Sequence, residues 1–164
     1  MLRSFIVLQV VIILLITGCT DNKSRLTVND LRVENLYEPL GIDTTMPRLS
    51  WKIKSDRNGT SQKAYQILVA SDNKLLDEKN ADLWNSGKIL SSACVLVTYQ
   101  GKGLTSRSVC RWKVRVWDEN DQMSEWSTAA GFSIGLLEKS DWNASYIGLP
   151  GKENNIVSPQ FRKI

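Results

Sequence analysis

The sequence predicts an all-β sandwich of about seven strands with one short helical insertion, and three observations predict it. Apolar and polar residues alternate with period two in several separate stretches, clearest in residues 49–54 and 109–118. Turn-forming residues punctuate the chain every 8–12 residues or so. The apolar positions of these stretches (Trp51, Tyr65, Ile67, Val69, Leu96, Trp112, Val114 and Phe132) are enough to fill the space between two sheets. Burying each large side chain contributes roughly 1.5–3 kcal/mol, so the fold needs no metal or cofactor to hold it.

The first strand falls in residues 26–34, LTVNDLRVE. Its apolar phase slips once at Asn29-Asp30, which predicts a bulge or bend. Pro39, Gly41, Asp43 and Pro47 then mark irregular chain. In residues 49–54, Leu49, Trp51 and Ile53 alternate with Ser50, Lys52 and Lys54. Asn58-Gly59 supplies a turn that accepts positive φ. Residues 64–71 form the next strand, with Tyr65, Ile67 and Val69 on one face.

Residues 72–83 change character. Ser71 or Asp72 can cap, and Leu75, Leu76 and Leu83 fall at roughly helical spacing, so a short helix or helical turn is expected. Residues 84–90 give a short strand around Ser86-Gly87, and residues 93–99 are rich in β-formers. The strongest strand is VCRWKVRVWD, residues 109–118. Cys110, Trp112, Val114 and Val116 face the core there, and Arg111, Lys113, Arg115 and Trp117 face out. Glu119-Asn120-Asp121 turns the chain, and residues 129–135 close the sandwich with Phe132 and Ile134 inward.

Ahead of this domain stands a leader. Arg3 precedes an apolar run, residues 5–16, broken only by Gln9 and ending in Ile16-Thr17-Gly18-Cys19. That order is a secretory signal, too short to cross ~30 Å of hydrocarbon as a helix. Its last four residues resemble the lipobox of bacterial lipoproteins. The resemblance implies that Cys19 carries the lipid after cleavage and that several acyl chains hold the protein at a membrane. The expected division is a signal peptide over 1–18, a spacer over 19–25, the sandwich over 26–135, and a linker with the truncated start of another β-domain over 136–164. The expected location is extracytoplasmic, on the periplasmic face or the cell surface.

Composition narrows the chemistry. Histidine is absent, which excludes Ser-His-Asp and Cys-His catalysis and imidazole metal sites. No metal or cofactor is expected. The net charge is +4, but Lys and Arg are scattered among Asp and Glu rather than gathered into the basic stripe that nucleic acid requires. Beyond Cys19 two cysteines remain. In an oxidising compartment Cys94 and Cys110 either pair, closing a loop of roughly fifteen residues worth ~3 kcal/mol on chain-entropy grounds, or stay as two small buried hydrophobes.

Several local stretches then line up in order. They are Leu31-Arg32-Val33-Glu34, Pro39-Leu40-Gly41-Ile42-Asp43, Pro47-Arg48-Leu49-Ser50-Trp51, Ala81-Asp82-Leu83-Trp84-Asn85-Ser86-Gly87-Lys88, Trp112-Lys113-Val114-Arg115-Val116-Trp117-Asp118 and Ser124-Glu125-Trp126-Ser127. Together they resemble the N-terminal region of bacterial α-L-rhamnosidases of glycoside hydrolase family 78. The resemblance covers about residues 31–147. It implies a fibronectin-type-III/immunoglobulin-like sandwich, followed in that family by more β-domains and an (α/α)6 barrel. That barrel hydrolyses terminal α-L-rhamnosyl bonds with inversion, and none of its acidic residues lies in this chain. Ser158-Pro159-Gln160-Phe161-Arg162-Lys163 resembles the opening of the next domain. One position departs from the pattern: Cys110 stands where the family usually has an aromatic. This puts the local packing in question and raises a Cys94–Cys110 disulfide as a replacement.

Inversion needs two carboxyl groups roughly 6.5–9.5 Å apart. Asp118, Glu119 and Asp121 cluster but sit in a turn, where carboxylates are usually solvated, so no catalytic residue is expected. Trp117 and Trp126 interleave with Arg111, Lys113 and Arg115, similar to the Trp-Ser repeats of fibronectin-type receptor domains. A structural Trp–Arg stack is the expectation, over an exposed sugar platform. The chain reads as the non-catalytic scaffold of a lipid-anchored rhamnosidase. Its partners are a membrane, the downstream domains and, for the whole enzyme, a rhamnose-containing glycan. The rival is a stand-alone glycan-binding or adhesion lipoprotein.

Overall fold

The computed structural model describes residues 24–144. The leader, Cys19, most of the spacer and the expected start of a second domain lie outside those residues. Eight strands run in the order β1 (Thr27–Val33), β2 (Arg48–Lys54), β3 (Gln62–Ala70), β4 (Trp84–Asn85), β5 (Ile89–Leu90), β6 (Val97–Thr98), β7 (Val109–Asp118) and β8 (Ala130–Ser133). They form two antiparallel sheets. One has the order β1-β2-β6; the other runs β4-β3-β7-β8, with β5 also on β3.

Alternation explains the long strands. On β7, Cys110, Trp112, Val114 and Val116 are all fully buried. They meet Tyr65, Ile67 and Val69 of β3, Phe132 of β8, and Val28, Leu31, Val33, Leu49 and Trp51 of the facing sheet in one core. The phase slip in β1 is a bulge. Asn29 pairs with Lys52 and Arg32 with Ser50, so one extra residue is accommodated, and Asp30 takes φ 51°. Leu31 thereby turns inward behind Val28. The Asp30 carboxylate accepts from Arg32 Nε at 3.0 Å and pairs with Lys52 Nζ at 2.5 Å. Lys52, then Tyr37 and Arg32, hold that carboxyl far below the usual range.

Buried polar groups are paired across the sheets. Trp51 Nε1 donates to Gln62 Oε1 at 3.0 Å, and Gln62 Nε2 donates to the Ser91 and Ala93 carbonyls at 3.1 and 2.9 Å. Tyr99 Oη donates to the Lys102 carbonyl at 2.8 Å, and burial pushes its pKa up to about 12. A Cβ on Gly101 would lie 2.5 Å from the Leu83 carbonyl oxygen and 2.6 Å from Trp84 Cβ, so the chain can pass Tyr99 only as glycine.

The structure corrects several expectations. Residues 72–83 hold only one 3-10 turn, Asn73–Leu75, capped by the Asp72 side chain on Lys74 N at 2.8 Å. Three leucines give too little periodic surface to nucleate a longer helix. The stretch around Ser86-Gly87 is two short strands, because Gly87 adopts φ 61° between them. Leu96 is not core: its φ is 53° and its side chain is 37% exposed, since residues 94–96 turn before β6. The sandwich does not stop at residue 135. Leu137 packs on the core, and Asp141 is bonded back to residues 106 and 107.

Cys94 and Cys110 are both free thiols. Both contribute to the same core, Cys110 fully buried and Cys94 at its margin. Of the two alternatives the structure has the separate thiols. Burial pushes the Cys110 pKa up to about 11.

Candidate functional site

The outer face of the five-stranded sheet carries the only motif that sequence reasoning singled out for binding. Strand register aligns it: Trp117 lies opposite Ala64, Arg115 opposite Gln66, Lys113 opposite Leu68 and Arg111 opposite Ala70. Those four β3 residues are buried even though they point away from the main core. The covering comes from residues 72–85 and 122–128. Leu68, Ala70 and Leu76 form a second small core, with Leu75, Ala81 and Trp126 packed on it.

The segment 122–128 continues the sheet beyond β8 by an unusual device. Ser124 N donates to the Val116 carbonyl at 2.8 Å, while Val116 N donates to Ser124 Oγ at 3.0 Å. Ser127 repeats this on Val114, at 2.9 and 3.1 Å. Each hydroxyl passes its own proton to the next carbonyl, of Glu125 at 2.8 Å and of Thr128 at 2.9 Å. The serines advance three residues while β7 advances two. A hydroxyl therefore stands where a strand carbonyl would fall, and Trp126 is left pointing over the sheet.

The result is a ladder of alternating cations and rings. Lys88 Nζ lies 4.8 Å from the Trp117 centroid, and Arg115 Cζ lies 5.2 Å from Trp117 and 4.5 Å from Trp126. Lys113 Nζ closes the other side of Trp126 at 5.0 Å. Arg115 is held at its edge too: Nε and Nη2 donate to Gln66 Oε1 at 3.0 and 2.7 Å, and Nη2 pairs with Glu78 at 2.7 Å. Contacts of this kind contribute about 0.5–1 kcal/mol each when exposed and about 2 when desolvated. Arg111, expected in the stack, is outside it. Its β7 position is two residues beyond Lys113, and it faces Glu38 at 4.0 Å.

The acidic turn is equally occupied. Asp118 is buried rather than solvated; it accepts from Asn120 N and Gln122 N at 2.9 Å and from Ser24 Oγ at 3.0 Å. Glu119 accepts from Ser61 N at 3.1 Å and pairs with Arg57. Backbone N–H groups, then Arg57, hold its carboxyl below the usual range. Asp121 pairs with Lys88 at 2.7 Å and Lys63 at 3.6 Å, and Lys88 chiefly lowers its pKa. A general acid needs the opposite shift. Among the described residues, no group of three or more His, Cys, Asp or Glu could hold a metal ion, and no helix is long and apolar enough to cross a membrane.

Sequence reasoning missed Lys88, Gln66 and Glu78 as parts of the ladder. Gln66 carried a signal, being the one polar outward residue in an otherwise apolar β3 stretch opposite Arg115.

Two antiparallel sheets packed on a shared core, with the interior spanned by Trp51 and Trp112, define an immunoglobulin-like sandwich. Residues 28–138 match the Rha78A-like, N-terminal immunoglobulin domain, and the chain belongs to that family. It is 43% identical over 127 residues to an alpha-L-rhamnosidase of Formosa agariphila, covering 77% of this chain and 14% of that protein. An alpha-L-rhamnosidase of an Alteromonas species is 45% identical over 128 residues, with the same two shares, 77% and 14%. The crystal structure of Streptomyces avermitilis alpha-L-rhamnosidase complexed with L-rhamnose superposes with TM-score 0.72 at 42% identity, over 76% of this chain and 12% of that one. The chain thus spans 11–14% of the length of the curated relatives it matches.

Proposed function

We propose that this chain is the N-terminal, non-catalytic scaffold of a lipid-anchored α-L-rhamnosidase. In this reading the polypeptide continues into domains that hydrolyse terminal α-L-rhamnosyl linkages. The sandwich spaces those domains from a membrane reached through Cys19 and packs against them. The observation that carries the scaffold role is the closure of the ladder. Both faces of Trp126 are occupied by Lys113 and Arg115, and Trp117 is only 8% exposed beneath Lys88 and Arg115. A sugar platform needs a free aromatic face. The relatives' name supports the enzyme reading.

The lipid anchor rests on the sequence order Ile16-Thr17-Gly18-Cys19. Its extracytoplasmic setting rests on the same residues. Expression in a bacterial host tests both: the wild-type chain is expected in the membrane fraction, and Cys19→Ser is expected to leave it. Membrane retention of the variant would overturn the anchor. Titration with rhamnose-containing oligosaccharides tests the scaffold role. No saturable binding by this chain is expected; binding lost on Trp126→Ala with the fold intact would favour a stand-alone glycan-binding lipoprotein.

A further inference from the structure

The sandwich carries a large exposed apolar surface on the side where the chain leaves it. Leu36 is 58% exposed, Leu40 87%, Met46 55% and Val109 55%. Leu36, Leu40 and Met46 line one concavity, of about 620 Å3. Leu40 also lines a second with Val109 and Phe132, so the two adjoin. Few monomer surfaces leave several large apolar side chains together without a partner.

Three observations say what covers it. First, the loop bearing Leu40 is tied to the chain's exit. Ile42 N donates to the Ser133 carbonyl at 2.9 Å, Gly135 N to the Ile42 carbonyl at 2.8 Å, and Gly41 N to Ser133 Oγ at 3.1 Å. Second, the exit is fixed. Leu137 N donates to Ser106 Oγ at 2.9 Å, the Asp141 carboxylate accepts from Ser106 and from Glu138 N, and Arg107 Nη2 donates to the Asp141 carbonyl at 2.8 Å. Whatever follows Asp141 starts beside the patch on a short tether, where effective concentrations are high. Third, the charges on its rim are already paired within the domain, Arg48 with Glu34 at 2.6 Å and Arg111 with Glu38 at 4.0 Å. The surface therefore asks for an apolar, uncharged partner.

We propose that the surface formed by Leu36, Leu40, Met46 and Val109 is the docking face for the polypeptide that follows this domain, received through an apolar patch on that polypeptide. The inference rests on the reading of this chain as the N-terminal domain of a longer enzyme, since the family is named for that position and the match takes up 14% of a relative's length. A second apolar group, Ile89, Leu90 and Val95, lies on the opposite edge of the five-stranded sheet and serves as an internal control.

The test compares hydrogen–deuterium exchange of this chain with that of the polypeptide continued through its downstream domains. Amides of residues 36–46 are expected to exchange about tenfold more slowly in the longer protein, with residues 89–96 unchanged. The double variant Leu40→Asp, Met46→Gln is expected to lower the melting temperature of the longer protein and leave that of this chain unchanged. Equal exchange in both proteins, protection at residues 89–96 instead, or a dimer of this chain that the double variant dissolves would each overturn the docking face. Rhamnoside hydrolysis by the longer protein is read separately. Activity without protection sinks the docking face and keeps the enzyme reading; protection without activity does the reverse.

Discussion

The guanidinium of Arg115 lies 4.5 Å over the Trp126 ring while its nitrogens reach Gln66 and Glu78, so a residue on β7 fastens a segment that is not a strand. That contact turns an exposed loop into the roof of the outer face. It also uses up the aromatic surface that could otherwise stack on a sugar.

Trp126→Ala removes a ring that two cations and a small core hold in place. Loss of about 2–3 kcal/mol is expected, below the cost of a fully buried tryptophan because Trp126 is half-buried. Arg115→Lys keeps charge but loses the two-pronged hold on Gln66, and about 1 kcal/mol is expected. Urea denaturation checks both. An unchanged midpoint for Trp126→Ala would contradict the structural role.

Ser124→Ala and Ser127→Ala strip the acceptors from the Val116 and Val114 amides, which are buried. Each change is expected to cost about 1–3 kcal/mol. Calorimetry of the single and double variants checks this. Threonine at either position keeps the hydroxyl and should lose less than alanine.

The strands were legible because period two survives in the sequence. Residues 109–118 were read with both ends and both faces correct. The bulge at Asp30 was legible as a phase slip, and the Trp–Arg stack as an alternation of types on one face. Other features were not. Leu96 reads as core because its left-handed φ leaves no trace in hydropathy. The 72–83 stretch reads as a helix because leucines that roof a sheet can share helical spacing by accident. Asp118 reads as a solvated turn carboxylate because its partners, the amides of Asn120 and Gln122, are backbone groups, and Ser24 is remote in sequence. The ladder's third cation, Lys88, comes from a loop that only the tertiary fold brings to Trp117.

The two thiols should differ in reactivity. Burial raises the Cys110 pKa to about 11, so almost no thiolate forms there at neutral pH. With an aromatic disulfide reagent on the protein's residues 20–164, about one thiol is expected to react under native conditions and two after denaturation. Reductant should leave the melting temperature unchanged. A thiol count of zero in denaturant would show a disulfide.

Stability should fall in acid. Asp82 accepts from Ser71 Oγ at 2.7 Å and Ser71 N at 2.9 Å, and these bonds hold its pKa below the usual carboxylate value. A depressed folded-state pKa stabilises above the unfolded value, near pH 4, and that contribution disappears as pH falls through the folded value. Thermal melts between about pH 7 and pH 2 should show a plateau, then a decline below about pH 4. Ser71→Ala should shrink the decline. A melting temperature that rises on acidification would contradict the assignment.

The most direct test sets this chain beside its C-terminally continued form in one assay, the release of rhamnose from an aryl α-L-rhamnoside. The account predicts a cooperatively folded sandwich that releases none, and turnover once the downstream domains are present. Turnover by residues 19–164 alone would contradict it.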